Sequence, residues 1–316
     1  PAENAALIHA IRRCDALHRL SLTHRLNGLL PHRLQGVMIE GAPIGMSFTF
    51  HDMYYRSHDS TYGKVSNPKI TTSMQPHAKI TPSSSQVQAI PIADCGEPLL
   101  DASRSSLIRC GPPPECPETA PFYRLLRAGV LARLEQAQQH LPAGLHLRVY
   151  EGYRHPKIQQ MLFDAQWRRT QIAHPDQNAA WCYAQAAMLA SPLCTFTGTP
   201  IIPPHSTGGA VDVDIVDAAG QPLNFGMALC DWGEVAPELC ATQYPGLTDT
   251  AARHRQLLVE VMTAAGLVNY PQEWWHFSYG DQYWACVTGC AQARYGAVHA
   301  PGFHADGASQ GDVVEK

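Results

Sequence analysis

The stretch from Ala210 to Val216 limits the possible folds of this chain more than any other. Its two aspartates, Asp212 and Asp214, alternate with valine and isoleucine, so the carboxylates share one face and the apolar side chains share the other. Such alternation predicts a half-buried β-strand. Gly208 and Gly209 stand just before it, and glycine accepts the backbone angles of a tight turn that other residues resist. We therefore expect a turn followed by a strand that presents acidic side chains.

The rest of the central sequence alternates helical and strand patterns, which is typical of an α+β fold. Apolar residues at helical spacing predict helices at about 119–137, 156–165, 179–189 and 250–265. Alternation of apolar and polar residues predicts further strands at 145–150 and 275–279. We expect a single domain over residues 87–292, built from a small, mostly antiparallel sheet flanked by helices.

The two ends of the chain carry no comparable pattern. Residues 1–86 contain no motif, and the run 71–87, rich in Ser, Thr and Pro, is typical of a flexible linker. We therefore interpret residues 1–86 as a poorly defined N-terminal extension of unknown function. Residues 293–316, rich in Gly, Ala, Ser and Asp, are expected to be a disordered tail.

Charge and hydropathy argue against several classes of partner. The formal net charge of −4 at pH 7 gives no electrostatic reason to expect nucleic acid or an anionic membrane surface. No apolar run approaches the roughly 20 residues that span a bilayer. The chain does not begin with a basic segment and an apolar core, which favours the cytoplasm, although a leader removed before Pro1 would allow the periplasm.

The ten cysteines allow two interpretations. Three close pairs suit disulfides of an exported protein: Cys110/Cys116, Cys230/Cys240 and Cys286/Cys290. Free thiols packed as small hydrophobic side chains are the interpretation we favour, since no export signal is visible. Because Cys-x-x-Cys does not occur, a cysteine-rich structural zinc site is not expected.

Three residues from two separate segments form a metal-ligand set. His205 precedes the Gly-Gly turn, Asp212 lies on the predicted strand after it, and His276 belongs to the distant strand. Imidazole and carboxylate groups bind zinc at about 2.0–2.2 Å, and three protein ligands leave a fourth position for water. We therefore expect one Zn²⁺ per chain. Asp214 is a weaker rival ligand, because two carboxylates would leave the site short of positive charge.

Two further residues suit the chemistry of a hydrolytic zinc site. Glu273 stands three residues before His276, and on a flat strand their side chains would point to opposite faces. We therefore expect Glu273 in the turn before the strand, where its carboxylate can act as a general base toward water. Arg154 stands where a predicted strand passes into a helix, and its permanently charged guanidinium suits a developing oxyanion.

Three motifs in this order resemble those of the D-Ala-D-Ala dipeptidase and carboxypeptidase family, which includes the vancomycin-resistance dipeptidases. The stretch His205-Ser-Thr-Gly-Gly-Ala-Val-Asp212 matches its His-x-x-Gly-x-Ala-x-Asp signature. Glu273-Trp-Trp-His276 matches its Glu-x-x-His, and Glu151-Gly-Tyr-Arg154 is similar to the segment that bears its transition-state arginine. The resemblance covers about residues 90–285. It implies zinc ligands at His205, Asp212 and His276, a base at Glu273 and an oxyanion-stabilising guanidinium at Arg154.

The resemblance also implies a function and its alternatives. It favours zinc-dependent hydrolysis of D-Ala-D-Ala or a similar short peptidoglycan-derived dipeptide, with Asp231 as a candidate partner of the substrate ammonium. The nearest alternative is a D,D-carboxypeptidase or endopeptidase acting on longer cell-wall peptides, and the second is a non-catalytic wall-binding zinc module. Pro203 stands where many members have a serine two residues before the first ligand, so that serine's contact with substrate is not expected here.

Overall fold

A computed structural model describes residues 80–114 and 117–298 of the 316-residue chain. Its strands are β1 (Leu99–Asp101), β2 (Arg109–Cys110), β3 (Leu125–Arg127), β4 (His146–Glu151), β5 (Ala210–Val216), β6 (Val268–Asn269) and β7 (His276–Ser278). The main sheet has five strands in the order β2-β4-β5-β7-β6, and β1 pairs with β3 in a second, two-stranded sheet. Within the main sheet only β2 and β4 are parallel, so the expected small and mostly antiparallel sheet is confirmed.

Helices flank this sheet, as expected for an α+β domain. They are α1 (Ser85–Gln88), α2 (Ala128–Gln138), α3 (Pro156–Ala173), α4 (Ala179–Ala186), α5 (Pro237–Cys240), α6 (Asp249–Ala264) and α7 (Gln282–Thr288). Three of these helices follow residues whose side chains cap them: His155 and Asn178 accept hydrogen bonds from the first turns of α3 and α4, and Thr248 does so for α6. Pro156 opens α3, where its missing N–H costs nothing.

The hydrophobic core lies between β5 and the helices that cover the sheet. Val213 and Ile215 of β5 are fully buried and share one cluster with Leu134 of α2 and Leu258 and Met262 of α6. The sequence predicted a half-buried strand here, but all seven residues of β5 are buried. The acidic face is covered as well, because β5 lies at the centre of the sheet and its carboxylates meet partners from the neighbouring strands.

The helix expected at about 119–137 begins later than predicted. Residues 117–119 form a short 3-10 helix, and Leu125–Arg127 forms β3, which pairs antiparallel with β1. Helix α2 then starts at Ala128. The apolar spacing was continuous across this boundary, but pairing with the distant β1 supplied backbone hydrogen bonds that the local pattern could not reveal.

The domain extends beyond both of its expected edges. Val87 is buried against Tyr270 and Tyr283, so the described end of the expected linker packs on the domain. At the other edge Ala293 forms a parallel bridge with Ile92, and Tyr295 is fully buried, so residues 293–298 do not belong to a disordered tail. Most of the expected extension, residues 1–79, and residues 299–316 of the expected tail lie outside the described residues, and the division into extension, domain and tail stays a prediction.

Two further expectations concern cysteines and membranes. Cys230, Cys240, Cys286 and Cys290 are free thiols, so two of the three possible disulfides are not formed, while Cys116 of the third pair lies outside the described residues. Among the helices of residues 80–114 and 117–298, none combines the length and apolar character that crossing a membrane requires.

Candidate metal centre

Strand register brings three of the site residues side by side. Asp212 of β5 pairs with His276 of β7 on one side and with Glu151 of β4 on the other. The β4–β5 pairing contains a register shift between Val149 and Glu151, which lets the end of β4 reach Asp212. All three side chains are therefore buried at one end of the sheet, with exposed fractions of 1% for Glu151, 3% for Asp212 and 5% for His276.

His205 reaches the same place from the turn before β5. It lies in a 3-10 helix, Pro204–Thr207, which ends at Gly208 with φ +69°. Side chains with a Cβ rarely adopt this angle, and a Cβ on Gly208 would also lie 2.5 Å from Leu99 Cδ2. The turn predicted from the two glycines is confirmed, and it folds His205 back over the start of the strand.

The ring of His205 is oriented by a backbone carbonyl. Its Nδ1 lies 2.7 Å from Gly152 O, an acceptor, so Nδ1 carries the hydrogen and Nε2 keeps its lone pair for a metal ion. Arg154 N–H also donates to His205 O at 3.2 Å, and the Ser206 hydroxyl donates to Arg154 O at 3.1 Å. The segments 152–154 and 205–206 are therefore held together by three hydrogen bonds.

The candidate ligand atoms have the spacing of a metal site. The two ring nitrogens, His205 Nε2 and His276 Nδ1, lie 3.1 Å apart. Asp212 Oδ2 is 3.3 Å from the first nitrogen, and Asp212 Oδ1 is 3.0 Å from the second. Donors bound tetrahedrally at about 2.0–2.2 Å would be separated by about 3.3–3.6 Å. The observed separations, two of which involve different oxygens of Asp212, are equal to or slightly shorter than the lower of these values, and with one atom per residue the three ligand atoms lie within 4.8 Å of one another. After a small rearrangement the three buried side chains therefore fit a tetrahedral ion with one open position.

The charges around these atoms also fit a divalent cation. Three carboxylates, Glu151, Asp212 and Glu273, line the cavity of about 40 Å³ together with one guanidinium, that of Arg154. If all three carboxylates were ionised and the histidines neutral, the formal charge would be −2, which is costly to bury unless a cation balances it. Burial opposes ionisation of Asp212, but the hydrogen bonds of His205 and His276, and their positive charge when protonated, outweigh burial and hold the pKa of Asp212 well below its usual range.

Glu273 lies in the turn before β7, as predicted. Its N–H donates to Tyr270 O at 3.0 Å, and its own carbonyl accepts the N–H of His276 at 3.2 Å, which closes the turn. Its Oε2 lies 3.9 Å from His276 Nδ1, beside the ligand cluster. Burial, reinforced by the charge of Asp212, raises the pKa of Glu273 well above its usual range, against the opposing effects of His205 and Arg154.

Arg154 is directed into the cavity by two neighbours that the motif comparison did not single out. Its Nη2 contacts Glu151 Oε2, and its Nη1 donates to Gln159 Oε1 at 2.9 Å. Gln159 in turn donates to Ser191 O at 2.7 Å. The guanidinium lies 3.7 Å from Asp212 Oδ2, on the same side of the cavity as the ligand cluster. A glutamate three residues before the arginine was the available signal for the first of these contacts.

Two other acidic residues considered from the sequence do not join the cluster. Asp214 forms a paired ion contact with Arg148, at 3.0 and 2.6 Å, so its carboxylate is directed away from the ligand atoms. Asp231 ends a short 3-10 helix whose Leu229 lines the cavity, as does the following Trp232, but Asp231 itself is not among the lining residues. Its proposed contact with a substrate ammonium therefore stays a prediction that this geometry does not favour.

Comparison with known proteins assigns a class to this geometry. Residues 124–294 match the Peptidase M15 family, D-Ala-D-Ala dipeptidase. The D-alanyl-D-alanine dipeptidase of Synechocystis sp. (strain ATCC 27184 / PCC 6803 / Kazusa) is 33% identical over 227 residues, which cover 62% of this chain and 87% of that protein. The D-alanyl-D-alanine dipeptidase of Escherichia coli (strain K12) is 29% identical over 135 residues, which cover 43% of this chain and 55% of that protein.

Two solved structures are also similar, at lower identity. One is the vancomycin resistance D,D-pentapeptidase VanY in complex with Zn(II), at 16% identity and a TM-score of 0.31, covering 54% of this chain and 80% of that one. The other is the LdcB LD-carboxypeptidase, at 16% identity and a TM-score of 0.32, covering 62% and 73%. The assignment therefore depends on the sequence matches, of which the family match spans the whole candidate site from Arg154 to His276.

The chain is a peptidase. It belongs to the Peptidase M15 family of D-Ala-D-Ala dipeptidases, as the resemblance of its three motifs indicated. The family match includes every residue of the ligand cluster as well as Glu273 and Arg154.

Proposed function

We propose that the protein is a zinc-dependent dipeptidase that hydrolyses D-Ala-D-Ala or a similar short, peptidoglycan-derived dipeptide. The observation that carries this proposal is the buried His205–Asp212–His276 cluster, whose donor atoms lie 3.0 to 3.3 Å apart. Its similarity to the two D-alanyl-D-alanine dipeptidases supports the choice of substrate.

The three clustered residues would hold the ion through His205 Nε2, Asp212 and His276 Nδ1. When bound, Zn²⁺ supplies a Lewis acid for the scissile carbonyl and lowers the pKa of an attacking water. One imidazole is fixed in the required tautomer by Gly152 O, so no reorganisation of the His205 ring is needed to present its lone pair.

The neighbouring residues handle the proton and the developing charge. Glu273 accepts a proton from the attacking water at its carboxylate and returns it to the leaving amine nitrogen. Burial favours its protonated form between these two transfers. Arg154, fixed by Glu151 and Gln159, donates N–H groups to the oxyanion of the tetrahedral intermediate.

Replacing the proposed base tests this assignment. In Glu273→Gln we expect turnover of D-Ala-D-Ala to fall by about 10²- to 10⁴-fold, the range typical for loss of a general base, with zinc still bound at one ion per chain. The measurements are kcat on the dipeptide and metal content by elemental analysis. Glu260→Gln is the matched control, because Glu260 is an exposed glutamate of α6 whose carboxylate accepts a hydrogen bond from Gln256.

These two measurements distinguish a role of Glu273 as a general base from a role as a metal ligand. Wild-type turnover in Glu273→Gln would contradict the proposed role of this carboxylate, and loss of zinc would make Glu273 a ligand. Turnover by the wild type that persists in a chelator, after its zinc has been removed, would contradict the metal mechanism itself.

A second candidate function is hydrolysis of longer cell-wall peptides. A second cavity, of about 460 Å³, borders the first at Met188, Leu189 and Trp232, which line both. A space of this size can accept several amino-acid residues. Comparing kcat/KM for free D-Ala-D-Ala, its N-acylated form and L-Ala-L-Ala distinguishes the two: a dipeptidase requires the free ammonium, whereas a carboxypeptidase prefers the acylated peptide.

A non-catalytic zinc module would bind the metal without hydrolysing any member of this panel. The presence of Glu273 and Arg154 beside the ligand cluster favours catalysis over that alternative. Cytoplasmic localisation stays a prediction, which cell fractionation would test.

A further inference from the structure

Arg127 is a buried cation directly behind the turn that carries His205. It is the last residue of β3 and only 5% exposed. Its Nε donates to Thr207 O at 2.9 Å, and its backbone N–H donates to Gly208 O at 3.0 Å. Two consecutive carbonyls of the turn between His205 and Asp212 are therefore held by this one residue.

The other end of the guanidinium is fixed by two segments from opposite ends of the domain. Nη1 donates to Glu97 O at 2.6 Å, and Nη2 donates to Asp94 Oδ2 at 2.8 Å and to Gly296 O at 3.3 Å. The Tyr295 ring packs over the guanidinium at 5.2 Å. Asp94, Glu97 and Gly296 all lie outside residues 124–294, the part that matches the family.

The turn has few other connections to the rest of the domain. Its internal bonds, from Thr207 Oγ1 to Pro204 O and from Gly208 N–H to His205 O, hold its shape but not its position. Apart from Arg127, the described hydrogen bonds that place it come from residues 152–154, from the N–H of Val298, which donates to Ser206 O at 2.9 Å, and from the N–H of Tyr279, which donates to Gly209 O at 2.9 Å. Along this carbonyl side, the guanidinium holds Thr207 O, while the backbone N–H of Arg127 holds Gly208 O.

We propose that Arg127 is a positioning residue of the metal centre. By joining Thr207 and Gly208 to the segments 94–97 and 294–296, it sets the separation of His205 Nε2 from Asp212. This proposal rests on the proposed zinc function. Substitutions of groups that orient metal ligands commonly weaken metal binding by about 10- to 100-fold, and Arg127 acts one step further out, through the backbone of the turn.

The test compares Arg127→Met, which nearly preserves side-chain volume, with Arg127→Lys, which retains the charge. The matched control is Arg255→Met, because Arg255 is 1% exposed and donates to Phe225 O and Ala241 O, neither of which belongs to the ligand turn. Three quantities are measured on the full chain: zinc affinity by chelator competition, the visible absorption spectrum with Co²⁺ in place of zinc, and amide hydrogen exchange at residues 204–211 in the metal-free protein.

We expect Arg127→Met to weaken zinc binding about 10-fold, to change the Co²⁺ spectrum and to speed exchange in the turn. For Arg127→Lys we expect a zinc affinity, a Co²⁺ spectrum and an exchange rate between those of Arg127→Met and the wild type, because an ammonium cannot reach all of the acceptors. Arg255→Met should lower the melting temperature while the Co²⁺ spectrum and the exchange of residues 204–211 stay unchanged. If Arg127→Met fails to fold, Asp94→Asn should shift the same three quantities in the same direction by less, because it removes the charge of the carboxylate and replaces one of its two oxygens with an amide nitrogen.

Two results would overturn the proposal. One is a wild-type spectrum and wild-type exchange in the turn of Arg127→Met, or of Asp94→Asn where that variant replaces it. The other is an equal spectral change in Arg255→Met, which would reveal a general loss of stability. If the wild type binds neither zinc nor Co²⁺, the proposed function fails, and the metal-free exchange measurement still decides whether Arg127 fixes the turn.

Discussion

The substitution Gly152→Ala disturbs the carbonyl that orients the ring of His205 without changing any candidate ligand. Gly152 O accepts the hydrogen bond of His205 Nδ1 at 2.7 Å. A Cβ at this position would lie 2.5 Å from Leu125 O and 2.8 Å from Leu126 Cδ2. Contacts this short cannot be tolerated, and the nearest atom belongs to the backbone of β3, so the chain at residue 152 must move.

Two separate effects follow from this displacement. Forcing extra atoms into a packed region costs about 1–3 kcal/mol of folding free energy. The carbonyl that holds His205 moves as well, and the loss of such an orienting hydrogen bond weakens metal binding by about 10- to 100-fold. We therefore expect Gly152→Ala to remain folded, with a lowered melting temperature and a raised zinc dissociation constant.

Chelator competition and urea denaturation of the metal-free protein measure the two effects separately. Gly111→Ala is the control: its Cβ would lie 3.5 Å from Val149 O, an ordinary contact, and its φ is not in the left-handed region. Its zinc affinity should equal that of the wild type. If Gly152→Ala bound zinc as tightly as Gly111→Ala, the carbonyl of residue 152 would have no role in orienting His205.

Two further predictions concern acidic residues outside the ligand cluster. Asp214→Asn should keep one zinc per chain in elemental analysis, because Arg148 and not the cluster holds this carboxylate; loss of zinc would make Asp214 a ligand. For Asp94, burial opposes ionisation, but the N–H groups of Gly96 and Gly296 and the charge of Arg127 outweigh it and lower its pKa. The ionised carboxylate should therefore stabilise the fold at neutral pH, by about 0.5–1 kcal/mol for so exposed a group, and this stabilisation should be lost as the pH falls below about 4. In acid titrations, the difference in unfolding free energy between the wild type and Asp94→Asn should disappear in that range.

The parts of the fold that follow from periodicity were predictable. Strand β5 was expected at 210–216 and spans Ala210–Val216; β4 was expected at 145–150 and spans His146–Glu151. Each has a face that must be buried in the core, so the alternation appears in the sequence. The missed strand β3 has no such signal, because its three residues are defined by pairing with the distant β1.

The candidate site also has a part that could be predicted from the sequence and a part that could not. Histidine, aspartate, glutamate and arginine in ordered motifs indicate chemistry by residue type, so the ligand cluster and its neighbours could be proposed from the sequence. The carbonyl of Gly152 and the backbone carbonyls that accept from Arg127 could not, because every residue has a carbonyl and only the tertiary structure decides which of them meet a donor. Arg127 itself fell inside the helix predicted at about 119–137, where a polar residue attracts no notice.

The candidate ligands should differ in their sensitivity to mutations of neighbouring residues. Asp212 and His276 are paired by strand register, and slipping β5 by one residue would turn its apolar face out of the core, so burial of that face also fixes Asp212 in place. His205 has no such protection, because its position depends on a turn held by the carbonyls and donors of residues 127 and 152–154. Metal affinity should therefore be more sensitive to substitutions around that turn than to equally destabilising substitutions in the sheet core.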